Sequence, residues 1–182
     1  MKSVRVLLIA AVAGIVFASV GEAAPRTGFG FNLGVASHNI DGTLTSGMKY
    51  YYSSSGLSLG IDYQMAMTET ISLSPFLMTS GENGGGDLVS GTTVGHGILG
   101  LEGRFWLDRV FIGGHAARYT EVLTNSNGSS TSAAGIGVGL TAGWEDDHGG
   151  LFVMTQIDKA KLSYADADNN LTGFRLSIGY RW

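Results

Sequence analysis

The stretch FRLSIGYRW at residues 174–182 decides the fold. Side chains of a β-strand alternate between two faces, so one face of this stretch is apolar and aromatic while the other is small or charged. In a soluble protein such an apolar strand would be an adhesive edge. In a transmembrane barrel the same strand closes the sheet, and lipid covers its apolar face. The stretch therefore predicts the last strand of a transmembrane β-barrel, with these residues facing lipid: Phe174, Leu176, Ile178, Tyr180 and Trp182.

The beginning of the chain has the pattern of a secretory signal peptide. Two basic residues precede an apolar run at residues 6–20, and small residues follow it. The run is short for a membrane-spanning helix, which needs about 20 residues, and the small residues suit cleavage after Ala23. We predict a cleaved signal peptide at residues 1–23 and a single exported domain at residues 24–182.

The composition favours a narrow, closed sheet. Glycine accounts for 29 of the 182 residues, charged residues for 14%, and cysteine is absent. Small inward residues let the walls of a narrow barrel approach each other, and the lack of cysteine excludes a disulfide framework. Residues 24–182 contain nine basic and 14 acidic side chains, a net charge of −5. This charge argues against nucleic-acid binding, which requires a basic surface.

Eight segments of alternating polarity, separated by turn-forming residues, have the pattern of barrel strands. The clearest is the sixth, where glycine and other small residues alternate with apolar side chains at residues 133–144. In the third we expect a bulge or an early end at Pro75, because proline cannot donate to the ladder. The orientation of the fifth segment, at residues 110–121, stays open. Lipid contacts one of two sets: Val110, Ile112 and Ala116, or Phe111, Ala117 and Tyr119.

The connections alternate in length along the chain. Those after the second, fourth and sixth segments are short, whereas the others are longer and rich in Ser, Gly, Asn and Asp: about residues 38–55, 80–93, 122–131 and 159–170. Short periplasmic turns and longer external loops are typical of outer-membrane barrels. We therefore predict an all-β, eight-stranded antiparallel up-and-down transmembrane barrel with short periplasmic turns and four longer external loops.

Residues 24–182 resemble the small outer-membrane β-barrel proteins of the OmpA/OmpX type. The resemblance rests on the eight alternating segments and above all on residues 174–182, which look like the carboxy-terminal signal read by the barrel-assembly machinery. It implies the fold and an outer-membrane location. It does not imply one activity, because members of this family serve in adhesion, serum resistance, structural bracing, lipid modification and narrow conduction.

Several charged side chains point into the predicted lumen by the same alternation. An eight-stranded barrel is just wide enough for side chains to fill, and charges buried there must pair. We predict a plug of ion pairs that closes the lumen, with Asp62 and Glu102 near Arg104 or Arg181, and Arg175 near Asp158. A narrow conducting lumen is the alternative.

Basic and aromatic residues lie near the predicted outer rim. Ammonium and guanidinium groups make charge-assisted hydrogen bonds to phosphates, which predicts lipopolysaccharide contacts for Lys49, Arg118, Lys159 and Lys161. The run Tyr50, Tyr51 and Tyr52 suits an aromatic girdle at the membrane interface, or else a ligand-binding loop. We predict a monomer with a structural role, or with a surface-interaction role towards a host or surface ligand through its loops.

An enzyme that modifies lipopolysaccharide is the main alternative function. Acyl hydrolysis or acyl transfer needs a serine beside an oriented histidine. A His-x-Ser pair is absent at all four histidines: His38, His96, His115 and His148. An acyltransferase-like constellation at the outer rim would combine His38, Asp41 and the serines at 53–55. The histidines show no pairing typical of a metal site and read as girdle or turn residues, so no catalytic residue, metal or cofactor is predicted.

A secreted, soluble lipocalin-like barrel is a further alternative, since it also has eight strands and a signal peptide. Such a barrel keeps its bulky apolar side chains inside. Here the first, sixth and eighth segments place glycine and small polar residues opposite the bulky apolar face. A face of small residues cannot build a dense soluble core, but it fits the inside of a narrow membrane barrel.

Overall fold

The computed structural model describes residues 25–88, 91–146 and 150–182, and the predicted signal peptide lies outside them. Eight strands form a closed barrel in which every neighbouring pair is antiparallel. This confirms the predicted fold class. The strands are β1 Gly28–Leu44, β2 Lys49–Ala66, β3 Ile71–Gly86, β4 Thr93–Leu107, β5 Val110–Thr124, β6 Ser130–Glu145, β7 Leu151–Ser163 and β8 Ala167–Arg181.

Among the described residues, no helix is long and apolar enough to cross a bilayer. The barrel closes where β8 pairs with β1, in a register that runs from Gly30 opposite Arg181 to Leu44 opposite Ala167. The Phe29 backbone N–H donates to the Trp182 carbonyl at 3.0 Å, and the Trp182 N–H donates to the Phe29 carbonyl at 3.1 Å. The two aromatic rings lie 5.6 Å apart. Residues 174–182 therefore form part of the seam where the barrel closes.

A belt of exposed apolar side chains surrounds the barrel. We call the end with the β2–β3, β4–β5 and β6–β7 connections the inner end, and the opposite end the outer end. So large a continuous apolar surface is stable only under a cover, and lipid covers the corresponding band of a transmembrane barrel. This arrangement is the reverse of a lipocalin-like barrel. The belt includes Phe31, Leu33, Val35, Leu57, Leu59, Ile61, Leu77, Leu99, Leu101, Phe105, Ile112, Ile136, Val138, Leu140, Ile157, Leu176 and Ile178.

The strands continue beyond the belt at the outer end, which corrects the conformation predicted for the loops. The chain excursions there are longer than those at the inner end, but most of their residues are strand. The four outer connections are only residues 45–48, 87–92, 125–129 and 164–166. We call the strand segments beyond the belt the outer extension: residues 37–44, 49–55, 79–86, 93–97, 118–124, 130–134, 159–163 and 167–172. With about six residues per strand, each rising about 3.3 Å, and a tilt near 40°, the extension is about 16 Å tall.

The bulge or early end expected at Pro75 is absent. The β2–β3 ladder pairs Asp62 with Phe76 and Met65 with Leu73, so the register is the same on both sides of the proline. Pro75 faces outward and lies opposite Leu101 of β4, and β3 continues to Gly86. The ladder to β2 is interrupted at the proline and resumes, because the neighbouring pairs hold the strand in place.

The structure also resolves the orientation of β5. Phe111, Ala117 and Tyr119 are buried in the lumen, whereas Ile112 and Ala116 point outward. The aromatic set is inside because it packs with polar lumen residues: Phe111 contacts Arg104, and Tyr119 contacts Asp158.

Candidate functional site in the lumen

Ion pairs around two arginines occupy the inner half of the lumen. Arg104 Nη2 lies 2.8 Å from Glu102 Oε2 and 3.5 Å from Asp62 Oδ2. Arg181 Nη1 lies 2.9 Å from the same Asp62 oxygen, and Arg181 Nε lies 3.1 Å from Glu145 Oε2. Asp62 is therefore shared between two guanidinium groups, and three carboxylates surround two cations.

Aromatic and amide side chains complete this inner network. The guanidinium carbon of Arg104 lies 4.7 Å above the centre of the Phe111 ring, and that of Arg181 lies 5.3 Å above Phe152. Both distances fit cation–π contacts. Arg104 Nη1 also donates to Gln64 Oε1 at 2.8 Å. Each arginine thus has both charged and uncharged partners, as burial in a low-dielectric lumen requires.

A third arginine lies at mid-height and has fewer partners. Arg175 Nη1 lies 3.7 Å from Asp158 Oδ2 and 3.3 Å from the Met78 sulfur. Its side chain is buried, with 1% of its surface exposed. Three uncharged or titratable side chains contact the Asp158 carboxylate: His115 at 3.0 Å, Tyr119 at 3.0 Å and Gln156 at 2.8 Å.

The structure thus places every charged lumen residue named in the sequence analysis inside the barrel. Asp62 and Glu102 lie beside Arg104, Arg181 lies beside Asp62, and Arg175 lies beside Asp158. Glu145 was not predicted to be a lumen residue, because the sixth predicted segment ends at residue 144. Glu145 is the last residue of β6 and points inward, so the same alternation would have found it had the strand been extended by one residue.

A second polar cluster lies in the outer half of the lumen. We call His38, Glu82, His96 and Glu121 the histidine–glutamate cluster. Glu82 Oε1 lies 2.8 Å from His38 Nδ1 and 3.2 Å from His96 Nδ1. His96 Nε2 lies 2.8 Å from Glu121 Oε2, and the two imidazole rings are 4.0 Å apart between centroids. One carboxylate is therefore shared by two imidazoles, and one imidazole bridges two carboxylates.

Hydroxyl groups hold both carboxylates of this cluster. The Ser54 and Ser80 hydroxyls each donate to Glu82 at 2.5 Å. Tyr52 donates to Glu121 at 2.5 Å, and Tyr164 donates to the same oxygen. These bonds fix the carboxylates relative to the imidazoles.

The cluster overturns the prediction that the histidines are unpaired girdle or turn residues. His38, His96 and His115 are all buried in the lumen, and His38 and His96 share a carboxylate. His38 was misassigned because residues 38–55 were predicted to be an external loop, whereas it lies in β1. His148 lies outside the described residues.

The acyltransferase-like constellation does not assemble. Asp41 is three positions from His38 on β1, so the two side chains lie on opposite faces, with His38 inside and Asp41 exposed outside. Of the three serines, Ser54 is directly opposite His38 and points inward, but its hydroxyl donates to Glu82.

The tyrosine run forms no girdle. Tyr52 points into the lumen, and the Tyr50 hydroxyl donates to Asn169 at 2.5 Å. Only Tyr51 is exposed, and its hydroxyl donates to Asn39 at 2.8 Å in the outer extension.

Three of the four basic residues considered for lipopolysaccharide lie together outside the barrel. Arg118 of β5 and Lys161 of β7 flank Ile136 of β6, and Lys159 lies opposite the neighbouring Val138. All three are exposed at the outer edge of the belt. The fourth, Lys49, is exposed at the start of β2 on a different side of the barrel.

An apolar groove of about 720 Å³ lies below these three cations on the same outer wall, spanning β3 to β7. Small residues at Gly103 and Gly114 form its floor, because they face outward without side chains. Large apolar side chains form its sides: Ile71, Phe105, Ile112, Leu140 and Ile157.

Comparisons with known proteins give a likeness of fold. No protein-family model matches the sequence, and no curated protein matches it. Among solved structures, Ail, the attachment invasion locus protein of Yersinia pestis, is 11% identical with a TM-score of 0.56, over 86% of this chain and 100% of Ail. The outer membrane protein AlkL, solved in DMPC bilayers, is 12% identical with a TM-score of 0.53, over 91% of this chain and 95% of AlkL. The fold, the apolar belt and the polar lumen are those of a small outer-membrane barrel.

Proposed function

We propose that this protein is a closed, non-catalytic outer-membrane barrel that acts at the cell surface through its outer extension. The filled lumen is the observation that carries this proposal. Three arginines with their carboxylates occupy the inner and middle levels, and the histidine–glutamate cluster occupies the outer level. Moving an ion through the barrel would require breaking several buried charge pairs, each costly to separate. The activity therefore lies outside the lumen.

The outer extension offers a rigid surface for a host or surface ligand. Its backbone hydrogen bonds continue the ladders of the barrel, as in β1 and β2 up to the pair Thr43 and Lys49. Its outward side chains are mainly polar, and apolar side chains such as Ile40 and Leu171 pack inside it. A surface held by a continuous sheet loses little conformational entropy when a partner binds.

The basic trio supports contact with lipopolysaccharide. Arg118, Lys159 and Lys161 are at the height where phosphates meet the edge of the apolar belt, and charge-assisted hydrogen bonds to phosphate are strong. The apolar groove below them on the same wall suits an acyl chain. Lys49 is distant from this trio and serves as an internal control.

The stretch at residues 174–182 serves in this proposal as the signal for the barrel-assembly machinery. Its outward residues Leu176, Ile178, Tyr180 and Trp182 are exposed along the seam before lipid covers them. Recognition of that row of side chains would place the seam strand beside β1.

Planar-bilayer recording tests the closed lumen. Purified protein, shown to be folded by faster electrophoretic mobility before boiling than after, should give no stable conductance steps. A porin with an open lumen, reconstituted in the same bilayers, serves as the positive control. Stable conductance steps of the unaltered protein would overturn the closed-barrel proposal.

Lipopolysaccharide co-purification tests the basic trio. The triple variant Arg118→Gln, Lys159→Gln and Lys161→Gln should retain several-fold less lipopolysaccharide per folded barrel. The matched variant Lys49→Gln should retain the same amount as the parent. Equal retention by the triple variant and the parent would remove this contact from the proposal.

A further inference from the structure

We propose that His38, Glu82 and His96 form a buried binding site for a divalent transition metal, best suited to Zn²⁺, inside the outer half of the barrel. The three residues come from β1, β3 and β4, and one ligand atom from each lies within 4.8 Å of the other two. Imidazole nitrogen and carboxylate oxygen are ordinary zinc ligands, and two histidines with one glutamate form a known zinc-binding set.

The distances between the donor atoms are close to those of a metal site. Zinc–ligand bonds of about 2.0–2.2 Å in a tetrahedron place neighbouring donors about 3.4 Å apart. The His38 and His96 Nδ1 atoms lie 2.8 and 3.2 Å from Glu82 Oε1. Since no pair of the donor atoms exceeds 4.8 Å, side-chain shifts of about an ångström would complete the geometry.

The surroundings of His96 resemble the outer shell of a metal centre. A histidine that binds metal through one nitrogen commonly donates its other N–H to a carboxylate, which fixes the tautomer and the ring orientation. His96 Nε2 lies 2.8 Å from Glu121, and Tyr52 and Tyr164 hold that carboxylate. Glu121 is therefore a positioning residue in this proposal.

Space for the His38 ring is provided by a glycine on the neighbouring strand. A Cβ atom at Gly173 would lie 2.7 Å from His38 Cδ2 and 3.0 Å from its Nε2. The absence of a side chain at Gly173 lets the ring turn its Nδ1 towards Glu82. The orientation of the His38 ligand atom thus depends on Gly173, which supplies no ligand itself.

Charge balance also favours a divalent cation. With neutral imidazoles, Glu82 and Glu121 give the cluster a charge of −2, which one divalent cation neutralises. The nearby Arg175 also interacts electrostatically with Glu82, but its ion-pair contact is with Asp158 at 3.7 Å.

Burial determines how the metal enters. At most 3% of the surface of His38, Glu82, His96 or Glu121 is exposed, so the ion is taken up while the barrel forms. The protein should therefore be refolded from denaturant into detergent at pH 7.5, with and without Zn²⁺, and folding checked by heat-modifiable mobility. After removal of loose metal, bound zinc is measured by mass spectrometry.

The expected result is one Zn²⁺ per folded barrel, and refolding with Co²⁺ should give the visible absorption bands of a tetrahedral site. His38→Ala and His96→Ala should each lower zinc retention at least tenfold. His115→Ala, which removes a buried lumen histidine outside the proposed site, should keep one equivalent. Glu121→Gln should weaken retention about 10–100-fold, as the loss of an outer-shell carboxylate does.

Two results would overturn the proposal. One is less than a tenth of an equivalent of zinc in the folded parent together with no cobalt bands. The other is equal zinc retention in the parent, His38→Ala and His96→Ala. If either histidine variant does not fold, Gly173→Ala displaces the His38 ring without removing a ligand. The cobalt spectrum of the parent is then compared with that of this variant, and identical spectra would also contradict the site.

Discussion

Removing the Asp158 carboxylate tests the ion-pair plug at its weakest point. In the described part of the chain, Asp158 is the carboxylate within 4.0 Å of the Arg175 guanidinium, at 3.7 Å. The other side-chain contact of Arg175 is the Met78 sulfur, which is a weak acceptor. Among the described residues, Asp158→Ala therefore leaves the buried Arg175 guanidinium without a carboxylate in ion-pair contact.

The expected loss follows from comparing this site with the inner one. Stranding one partner of a buried pair costs about 3–5 kcal/mol of unfolding free energy, so we expect that range for Asp158→Ala. Glu102→Ala should cost less, about 1.5–3 kcal/mol, the usual worth of a hydrogen bond to a charged group. The reason is that Arg104 retains Asp62 at 3.5 Å and Gln64 at 2.8 Å.

Equilibrium unfolding in denaturant, with the protein in lipid or detergent, measures both losses. Tryptophan fluorescence and heat-modifiable mobility should give coincident transitions. The double variant Asp158→Ala/Arg175→Met removes both charges, so it should regain most of the stability lost by the single variant. The ordering argued here would be refuted if Asp158→Ala were no less stable than Glu102→Ala, or if the double variant were less stable than Asp158→Ala.

Two further predictions concern the seam and the glycine-lined wall. A Cβ at Gly179 would lie 2.3 Å from Phe152 Cζ, so Gly179→Ala should lower the unfolding free energy by about 1–3 kcal/mol. A Cβ at Gly103 meets nothing within 4 Å, so Gly103→Ala should change the unfolding free energy by less than about 0.5 kcal/mol. Equal losses for the two variants in the same unfolding assay would argue against a tightly packed lumen. Trp182→Ala removes the ring contact with Phe29 at 5.6 Å and should reduce the heat-modifiable fraction in outer-membrane preparations, whereas an unchanged fraction would count against the assembly signal.

The part of the fold under lipid could be predicted because apolar outward residues alternate there with small or polar inward residues. Along β6, Ile136, Val138 and Leu140 face outward while Gly137 and Gly139 line the lumen. The alternation is strong because lipid favours large apolar side chains on the outward face, whereas a narrow lumen favours small side chains on the inward face. The orientation of β5 stayed open because its two faces have similar apolar content.

The outer extension escaped prediction because its alternation is reversed. Beyond the belt, Ile40 and Leu171 point inward, whereas Asn39 and Asp41 point outward. A barrel wall surrounded by water has a polar outward face, and here the inward face carries apolar side chains beside the histidine–glutamate cluster. An apolar outward face therefore predicts the belt part of each strand, and most residues beyond the belt fall in predicted loops.

The histidine–glutamate cluster was missed for the same reason. Glu82 and Glu121 fall in or beside segments read as loops, where parity assigns no direction to a side chain. Extending β3 by parity from Phe76 through Met78 and Ser80 places Glu82 in the lumen. The alternation pattern, however, does not give the relative stagger of the strands, and that stagger is what places Glu82 beside His96 and His38.

Glycine placement links the stability of the barrel to its closed lumen. A Cβ at Gly139 would lie 2.2 Å from His115, and one at Gly113 would lie 2.9 Å from Glu102. Large side chains on one strand thus occupy the volume that glycine leaves free on the next, and this lets an eight-stranded wall enclose so many charged groups. A barrel selected for conduction would gain nothing from such filling, because each fitted side chain narrows the path. The filled lumen therefore agrees with a role at the outer surface, where the side chains are free to change without disturbing the ion pairs.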